Sequence, residues 1–195
     1  MLKKLRHENI VKFIEMVQTA NNVYLVYDYC NGGTLAQFLK KKVQIEEEQI
    51  IEIFYQIRSA YEEMYNNKVL HRDLKPTNIL FHDGKIKIAD FGFCKELLRE
   101  EDIGESIVGS PSFMAPEILK GHTYDYRADL WSLGVILYQL MYGFVPFEDK
   151  DVARLTKLIF STQLNIPKNQ NISEHLVKLV KQLLVVNYHE RIKPV

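Results

Sequence analysis

Four side chains between residues 73 and 90 have the chemistry to act together on a charged group. Asp73 and Asp90 are carboxylates, and Lys75 lies two residues after the first of them. Asn78 adds an amide oxygen. Hard oxygen ligands of this kind suit Mg²⁺, which prefers few carboxylates together with phosphate oxygens and water. A cation such as Lys75 can offset negative charge, so these residue types could act together at a negatively charged group.

Three short motifs follow one another along the chain. Residues 71–78 read His-Arg-Asp-Leu-Lys-Pro-Thr-Asn, residues 90–92 read Asp-Phe-Gly and residues 115–117 read Ala-Pro-Glu. This ordered set resembles the motifs of the eukaryotic protein kinases. The resemblance extends to residues 31–35, which are similar to the segment after the family's hinge, and to residues 129–134, which resemble its central helix. It implies an α+β fold of the protein kinase type.

The resemblance assigns a role to each of the four side chains. Asp73 is expected to accept the proton of the substrate hydroxyl, and Asn78 and Asp90 are expected to hold Mg²⁺ against ATP. Lys75 is the residue type found here in kinases that phosphorylate serine and threonine, where it offsets charge beside the transferred phosphate. The expected activity is therefore that of a Ser/Thr protein kinase, with ATP and Mg²⁺ as cofactors and a protein hydroxyl as substrate.

The same resemblance places the adenine ring of ATP at the hinge. The backbone at Asp28 and Cys30 is expected to contact the base, with Tyr27 as a bulky gatekeeper behind it and Leu80 beneath it. These assignments rest on short apolar runs, which align easily. A second interpretation, in which Tyr27 and Leu80 are simply core residues, therefore stays open.

Control by phosphorylation is implied by Arg72, which directly precedes the expected catalytic base. A phosphate on the segment after the Asp-Phe-Gly motif could pair with Arg72 and Lys95 and order that segment through charge-assisted hydrogen bonds. Ser106 lies where the family usually carries this phosphate, so an upstream kinase acting on Ser106 is an expected partner. Ser110 is instead expected to hydrogen bond near the catalytic aspartate and lysine and to help select Ser/Thr substrates.

Several other polar residues are interpreted as structural. Cys94, beside the Asp-Phe-Gly motif, could be a reactive thiol, but a small buried side chain is the interpretation we favour. We expect His71 to pack in the core under the catalytic loop rather than to act as a base. Glu117 and Arg191 resemble the ion pair that anchors the end of the activation segment in the family.

The chain departs from the family's pattern in its first part. Its first glycine is Gly32, so no Gly-rich loop precedes the hinge, and no run like Val-Ala-Ile-Lys is present. The segment 2–11 resembles the tail of the helix that carries the family's conserved glutamate. We therefore expect a partial kinase domain, mainly its helical lobe with the hinge and the last two strands of the small lobe. Residues 1–29 would form the end of the small lobe and the hinge, and residues 30–195 a helical lobe truncated at its end.

Two functions stay open on this basis. The first is a Ser/Thr protein kinase of which this chain is a truncated catalytic domain. The second is a catalytically inactive, kinase-like module that binds a protein. The presence of all four side chains between residues 73 and 90 favours the first, since a lobe kept only for binding has no chemical need for them. Among kinases, the segments 29–35 and 109–117 most resemble the autophagy-initiating kinases related to Unc-51.

Two hairpins are predicted, one that leads into the hinge and one between the motifs at 71–78 and 90–92. Residues 10–18 and 23–29 are β-rich runs separated by a short polar turn, and we expect this hairpin to expose an apolar edge prone to association. Residues 78–81 and 85–89 flank an Asp-Gly pair, which favours a tight turn. The polar segment 91–120 carries several Gly and Pro residues without sustained periodicity, which indicates a long functional loop.

The rest of the chain is predicted to be helical. Residues 46–66 carry apolar side chains at three- and four-residue spacing, which indicates an amphipathic helix. Residues 129–142 are apolar nearly all round, as in a helix buried inside a domain. A further helix is predicted over 152–162, and Thr34 and Ser173 are predicted to cap two more.

The composition sets limits on partners and location. The 25 Lys and Arg balance the 25 Asp and Glu, so charge gives no reason to expect nucleic acid or an anionic membrane as partner. Cys30 and Cys94 lie far apart without zinc-ligand spacing, which fits a reducing compartment. The most apolar run, 130–143, is too short to span a bilayer. We therefore expect a single soluble domain in the cytoplasm.

Overall fold

The computed structural model describes residues 4–96, 110–168 and 171–194 of the chain. Six strands and six α-helices occur within these ranges, which confirms the predicted α+β class. The strands are β1 Phe13–Gln18, β2 Val23–Tyr27, β3 Val69–Leu70, β4 Ile79–His82, β5 Lys85–Ile88 and β6 Lys95–Glu96. The helices are α1 Leu35–Lys41, α2 Glu47–Asn66, α3 Pro116–Leu119, α4 Arg127–Tyr142, α5 Val152–Ser161 and α6 Glu174–Leu183. Among the described helices, none is long and apolar enough to cross a membrane.

The first predicted hairpin is confirmed in the antiparallel pair of β1 and β2. Thr19 and Asn22 close its turn, because the amide of Thr19 donates to the carbonyl of Asn22 and the amide of Asn22 donates to the Thr19 hydroxyl. Most apolar side chains of the hairpin are exposed, as the sequence predicted. These side chains are Ile14, Met16, Val17, Val23, Tyr24 and Leu25.

The second predicted hairpin, β4 and β5, is confirmed with a two-residue turn. Asp83 and Gly84 at its tip have φ angles of 48° and 80°, and positive values at both positions match the type I′ turn that suits the twist of paired strands. At the open end, Ile79 pairs with Ile88 and the amide of Ala89 donates to the carbonyl of Asn78 over 2.9 Å. The hairpin therefore brings the segments before and after it together.

The core is built around α4, which the sequence predicted to be buried. Of its 16 residues, 13 are buried, and it packs against both α2 and α6. The amphipathic α2 turns its apolar stripe to the same core; the buried residues of that stripe are Ile50, Ile53, Phe54, Ile57, Ala60, Tyr61 and Met64.

Helix starts follow the predicted capping residues. The Thr34 hydroxyl accepts the amide of Gln37, and the Gln37 side chain accepts the amide of Thr34 in return, which completes a capping box at α1. Ser173 accepts the amide of Leu176 at the start of α6. Both predictions are therefore confirmed. Asp151, which the sequence analysis did not single out, caps α5 through the amide of Arg154.

The segment 91–120 holds more structure than the loop predicted for it. Its described part contains 3₁₀ turns at Phe91–Phe93 and Pro111–Phe113, the strand β6 and the helix α3. The strand was missed because two residues show no alternation, and its pairing with β3 is a long-range contact. These elements attach both ends of the segment to the helical core.

We predict that Gly134→Ala destabilises the chain. An added Cβ would lie 2.8 Å from Leu183 Cβ and 2.9 Å from Leu184 Cδ2, closer than such atoms can approach. Alanine gains about 1 kcal/mol in helix propensity, but overpacking of a core typically costs about 1–3 kcal/mol. The overpacking should dominate, because a rigid Cβ of α6 cannot move aside alone.

Urea unfolding followed by circular dichroism measures this effect. The free energy of unfolding should fall by about 1–2 kcal/mol in Gly134→Ala. The exposed Lys157→Ala on α5 is the control and should stay within about 0.5 kcal/mol of the unchanged chain. A Gly134→Ala chain as stable as the control would show that α4 and α6 are not packed this closely.

Candidate active site

A buried carboxylate on α4 fixes the backbone of the segment 71–78. Asp129 is only 1% exposed. Its Oδ2 accepts the amide of His71 over 2.8 Å, and its Oδ1 accepts the amide of Arg72 over 2.9 Å. Arg72 has a φ of 68°, a left-handed conformation that is unfavourable for a residue with a side chain. Because both amides are tied to one carboxylate, the strained turn is held in place. Burial raises the pKa of Asp129, and the two amide donors oppose that shift.

The side chains of Asp73, Lys75 and Ser110 lie together just beyond this turn. Lys75 Nζ lies 2.7 Å from Asp73 Oδ2 and donates to Ser110 Oγ over 2.8 Å. The Ser110 hydroxyl in turn lies 3.4 Å from Asp73 Oδ1. The carboxylate is buried and the ammonium is partly exposed. One carboxylate, one cation and one hydroxyl therefore share a single site.

Asn78 directly precedes the second hairpin and Asp90 lies just after it, so both lie at its open end. The Asn78 amide nitrogen donates to the Asp73 carbonyl over 2.9 Å and to Asp73 Oδ2 over 3.0 Å, which turns its amide oxygen away from Asp73. Asp90 has a φ of 61°, and among the described residues its exposed carboxylate accepts only the amide of Gly92, over 3.4 Å. The hairpin thus joins two oxygen donors that are distant in sequence.

His71 is a buried, neutral structural residue, as predicted. Its Nδ1 accepts the amide of Asp73 over 3.3 Å, so the proton of the neutral ring must sit on Nε2, which lies 3.1 Å from the Ala89 carbonyl. The ring packs 5.1 Å from that of Phe91. Burial lowers the pKa of His71. One imidazole therefore links Asp73 to Ala89, the residue that precedes Asp90.

Two of the expected adenine-binding residues, Asp28 and Cys30, follow the end of β2. The amide of Asp28 donates to the Lys12 carbonyl over 3.0 Å, whereas the amide of Cys30 makes no hydrogen bond to any described residue. Leu80, half-buried in β4, pairs with Thr34 at the start of α1. Tyr27 is half-buried with its ring 5.6 Å from that of Phe13. The hinge and β4 therefore form neighbouring surfaces.

A glycine permits the close approach of the hinge to β4. A Cβ on Gly32 would lie 2.6 Å from Phe81 Cβ and 2.9 Å from the Phe81 carbonyl oxygen. The amide of Gly32 donates to that same carbonyl over 2.8 Å. No larger residue fits here without separating the two segments.

Only part of the expected regulatory set can be located. The guanidinium of Arg72 donates to the Phe93 carbonyl and, over 3.2 Å, to the Tyr124 hydroxyl. Lys95 lies in β6 and pairs with Leu70, two residues before Arg72. Ser106 lies outside the described residues. Lys95 thus lies on the strand paired with β3, and Arg72 lies in the turn that follows β3, while the position of Ser106 is not described.

The ion pair predicted between Glu117 and Arg191 is confirmed. Arg191 Nη1 and Nη2 lie 2.9 Å and 3.0 Å from the two carboxylate oxygens of Glu117, and both residues are buried. Arg191 also donates to the carbonyl of Val185 and lies over the Trp131 ring at 5.3 Å. The pair therefore attaches the end of the segment 110–117 to the core.

Two residues of the site were missed by the sequence analysis. Asp129 was noted only as part of the central helix, although a carboxylate within an apolar helical run is itself a signal of a buried hydrogen bond. Tyr124, the hydroxyl partner of Arg72, gave no comparable signal. Cys94 is half-buried, and burial strongly raises the pKa of its thiol, which agrees with an unreactive side chain.

Comparison with known proteins gives a consistent result. A family model described as Protein kinase domain matches residues 1–194. Serine/threonine-protein kinase ATG1b of Arabidopsis thaliana is 37% identical over 198 residues, which cover 98% of this chain and 28% of that protein. Serine/threonine-protein kinase unc-51 of Caenorhabditis elegans is 38% identical over 197 residues, with coverages of 93% and 23%. The predicted similarity to kinases related to Unc-51 is thereby confirmed.

A kinase with a different name matches at nearly the same level. Probable serine/threonine-protein kinase nek2 of Dictyostelium discoideum is 35% identical over 204 residues, which cover 100% of this chain and 48% of that protein. Across these three relatives the chain spans between 23% and 48% of their length. The similarity is therefore to one domain of longer proteins.

We predict that His71 makes the chain less stable in acid. Its folded-state pKa lies below the ordinary value of 6.5, so the unfolded chain binds the proton first as the pH falls. The stability that the neutral ring contributes is fully present above pH ~6.5 and is lost below it. The loss can reach about 1.4 kcal/mol per pH unit for one proton.

Urea unfolding between pH 7.5 and pH ~5.5 tests this dependence. His71→Gln should show a shallower decline of unfolding free energy with falling pH than the unchanged chain. His175→Gln, which removes an exposed histidine, is the matched control and should keep the original slope. Equal slopes in all three chains would contradict a depressed pKa at His71.

Proposed function

This chain belongs to the protein kinase domain family, and we propose that it transfers the γ-phosphoryl group of ATP to serine and threonine hydroxyls of protein substrates. The observation that carries the proposal is the contact of Asp73 with both Lys75 and Ser110. A carboxylate beside a hydroxyl and a cation is suited to receive a hydroxyl proton where phosphate charge must be offset. The named relatives are serine/threonine kinases, which supports the same substrate class.

Each residue of this group has a separate proposed role. Asp73 accepts the proton of the acceptor hydroxyl, and the Lys75 ammonium offsets the charge of the transferred phosphate. Ser110 occupies the space beside Asp73 with a short hydroxyl side chain, which favours serine and threonine as acceptors. Asp129 acts indirectly, because it holds the turn that precedes Asp73.

Asn78 and Asp90 are the proposed ligands of Mg²⁺. Their oxygens suit the ion, since one comes from an amide turned away from Asp73 and the other from an exposed carboxylate that makes one long hydrogen bond within the described part of the chain. When bound, the ion would neutralise charge on the phosphate oxygens of ATP. The two residues would position it, and the β4–β5 hairpin would keep their relative placement fixed.

The hinge is the proposed binding site for adenine. The amide of Cys30, which no described residue accepts, is available to hydrogen bond the base, and the backbone of Asp28 flanks it. Leu80 would contact one face of the ring, and Tyr27 would close the space behind it. We propose that residues 1–29 contribute the hinge and the first hairpin of the kinase domain, and residues 30–195 its helical lobe.

Regulation by phosphorylation is proposed for the segment after β6. A phosphate placed there by an upstream kinase, with Ser106 as the proposed acceptor, would pair with Arg72 and Lys95. Arg72 precedes Asp73 directly, so a new partner for its guanidinium would act on the site itself. The balanced composition gives no electrostatic reason to propose nucleic acid as a partner.

We propose a cytoplasmic location for the chain. Cys30 and Cys94 are both free thiols, and a reducing compartment keeps such thiols unpaired. ATP and protein substrates are available in the same compartment.

We predict that Asp73→Asn abolishes most phosphoryl transfer. Loss of a general base typically reduces the rate by about 10²–10⁴-fold, while asparagine keeps the shape of the side chain. The measurement is transfer from labelled ATP with Mg²⁺ to a generic protein substrate, made with the full 195-residue chain. Asp149→Asn, at the surface pair with Arg154, is the control and should retain the original rate.

Transfer in the original chain that persists in Asp73→Asn would refute the proposed role of the carboxylate. No transfer by either chain, together with intact folding, would refute catalysis by this chain and favour a kinase-like binding module. A signal that is lost only in Asp73→Asn supports the enzyme.

We also predict that ATP with Mg²⁺ protects Cys30 from alkylation. The thiol is half-buried at the hinge, and burial raises its pKa moderately, so it should react slowly but measurably with iodoacetamide. Bound adenine should slow this reaction several-fold, as followed by mass spectrometry. Cys94 is the internal control, since its thiol is far less ionised. Unchanged Cys30 labelling at saturating ATP would place the nucleotide elsewhere.

A further inference from the structure

A cavity lies at the far end of the helical lobe, between the C-terminal ends of α1 and α4. Its volume is about 200 Å³, and its walls come from residues 39, 42–45, 140–144 and 167–168. Tyr142 lies 13 residues beyond Asp129 on α4, which corresponds to about 20 Å along the helix axis. The cavity is therefore separate from the candidate active site.

The cavity has a buried apolar wall and exposed apolar side chains at its rim. Ile45 and Met141 form part of its buried wall, whereas Val43 is 103% exposed and Phe144 is 51% exposed at its rim. Exposed apolar side chains grouped around a concavity mark interaction surfaces more often than isolated ones do. The volume is below the about 300–1,000 Å³ of sites for drug-sized ligands, so it suits one large side chain rather than a cofactor.

The charges at the rim have one sign. Lys42 and Lys168 line the cavity, and no carboxylate is among the lining residues that the structure describes. Lys40 and Lys41 continue the positive charge along the last turn of α1. The nearest carboxylates in sequence, Glu46–Glu48, open α2 outside the lining. The C-terminal ends of α1 and α4 each contribute about half a negative charge. Together this is less than the positive charge of Lys42 and Lys168.

One wall also contains an unsatisfied hydroxyl. Tyr142 lines the cavity, and among the described residues its buried hydroxyl has no hydrogen-bond partner. Burial raises the pKa of Tyr142, so the group stays a neutral donor.

We propose that this cavity is a docking site for an acidic peptide segment that inserts one large apolar side chain. The apolar walls would take the side chain, and Lys42 and Lys168 would pair with carboxylates on either side of it. Such a segment would tether a partner protein to the lobe without touching Asp73. Docking at this site does not depend on catalysis.

Fluorescence anisotropy with a labelled peptide of sequence Asp-Glu-Phe-Asp-Glu tests the proposal on the full chain. We expect saturable binding with Kd of about 10–100 μM, as for a small contact. Replacing phenylalanine by alanine in the peptide should weaken binding at least about threefold, since one apolar side chain is lost. Replacing the acids by their amides should weaken it further.

The protein variant Lys42→Glu/Lys168→Glu should bind the acidic peptide at least about tenfold more weakly. The matched control is Lys178→Glu/Lys181→Glu, which reverses two lysines on α6 and should leave binding unchanged. Circular dichroism confirms the folding of both variants, and transfer to a short serine peptide should stay within about twofold in Lys42→Glu/Lys168→Glu, since the cavity is remote.

Several results would overturn the proposal. These are absence of saturable binding, equal weakening in both double variants, and equal binding of the alanine peptide. Self-association of the chain that Lys42→Glu/Lys168→Glu abolishes, without peptide binding, would identify a second copy as the occupant instead.

Discussion

The carboxylate of Asp129 is the constraint on which the site depends. It is buried on the central helix and accepts the amides of two successive residues, His71 and Arg72. A buried carboxylate is unfavourable unless it is hydrogen bonded, and a left-handed arginine is unfavourable unless the surroundings enforce it. Here the two amides satisfy the buried carboxylate, and the carboxylate holds Arg72 in its left-handed conformation. The position of Asp73 therefore follows from the position of α4, the most deeply buried helix described.

The second hairpin extends this control to the other half of the site. Pairing between β4 and β5 fixes Asn78 and Asp90 at adjacent ends, although 11 residues separate them in the chain. The neutral ring of His71 then links the Asp73 amide to the Ala89 carbonyl. The expected base and the expected metal ligands thus belong to one hydrogen-bonded unit. A displacement of any one of them would be transmitted to the others.

The sequence predicted the local features of this fold better than the long-range ones. Thr34, Ser173 and the Asp83-Gly84 turn follow from chemistry within four residues, and all three are confirmed. The clamp by Asp129 joins residues 57 and 58 positions apart, and the pairing of β3 with β6 joins two-residue strands. No periodicity of apolar residues in the sequence indicates such contacts. The Glu117–Arg191 pair was accessible only through resemblance to a family, because nothing local couples the two residues.

That ion pair also bears on how the chain folds as it leaves the ribosome. Glu117 lies 74 residues before its buried partner, so its carboxylate emerges long before Arg191 exists. An unpartnered buried charge destabilises a lobe by about 3–5 kcal/mol. The helices up to α6 can therefore collapse during synthesis, but the end of the segment 110–117 can lock only after residue 191 is made. Attachment of this segment to the core is therefore a late step in the folding of each molecule, because its arginine partner lies near the end of the sequence.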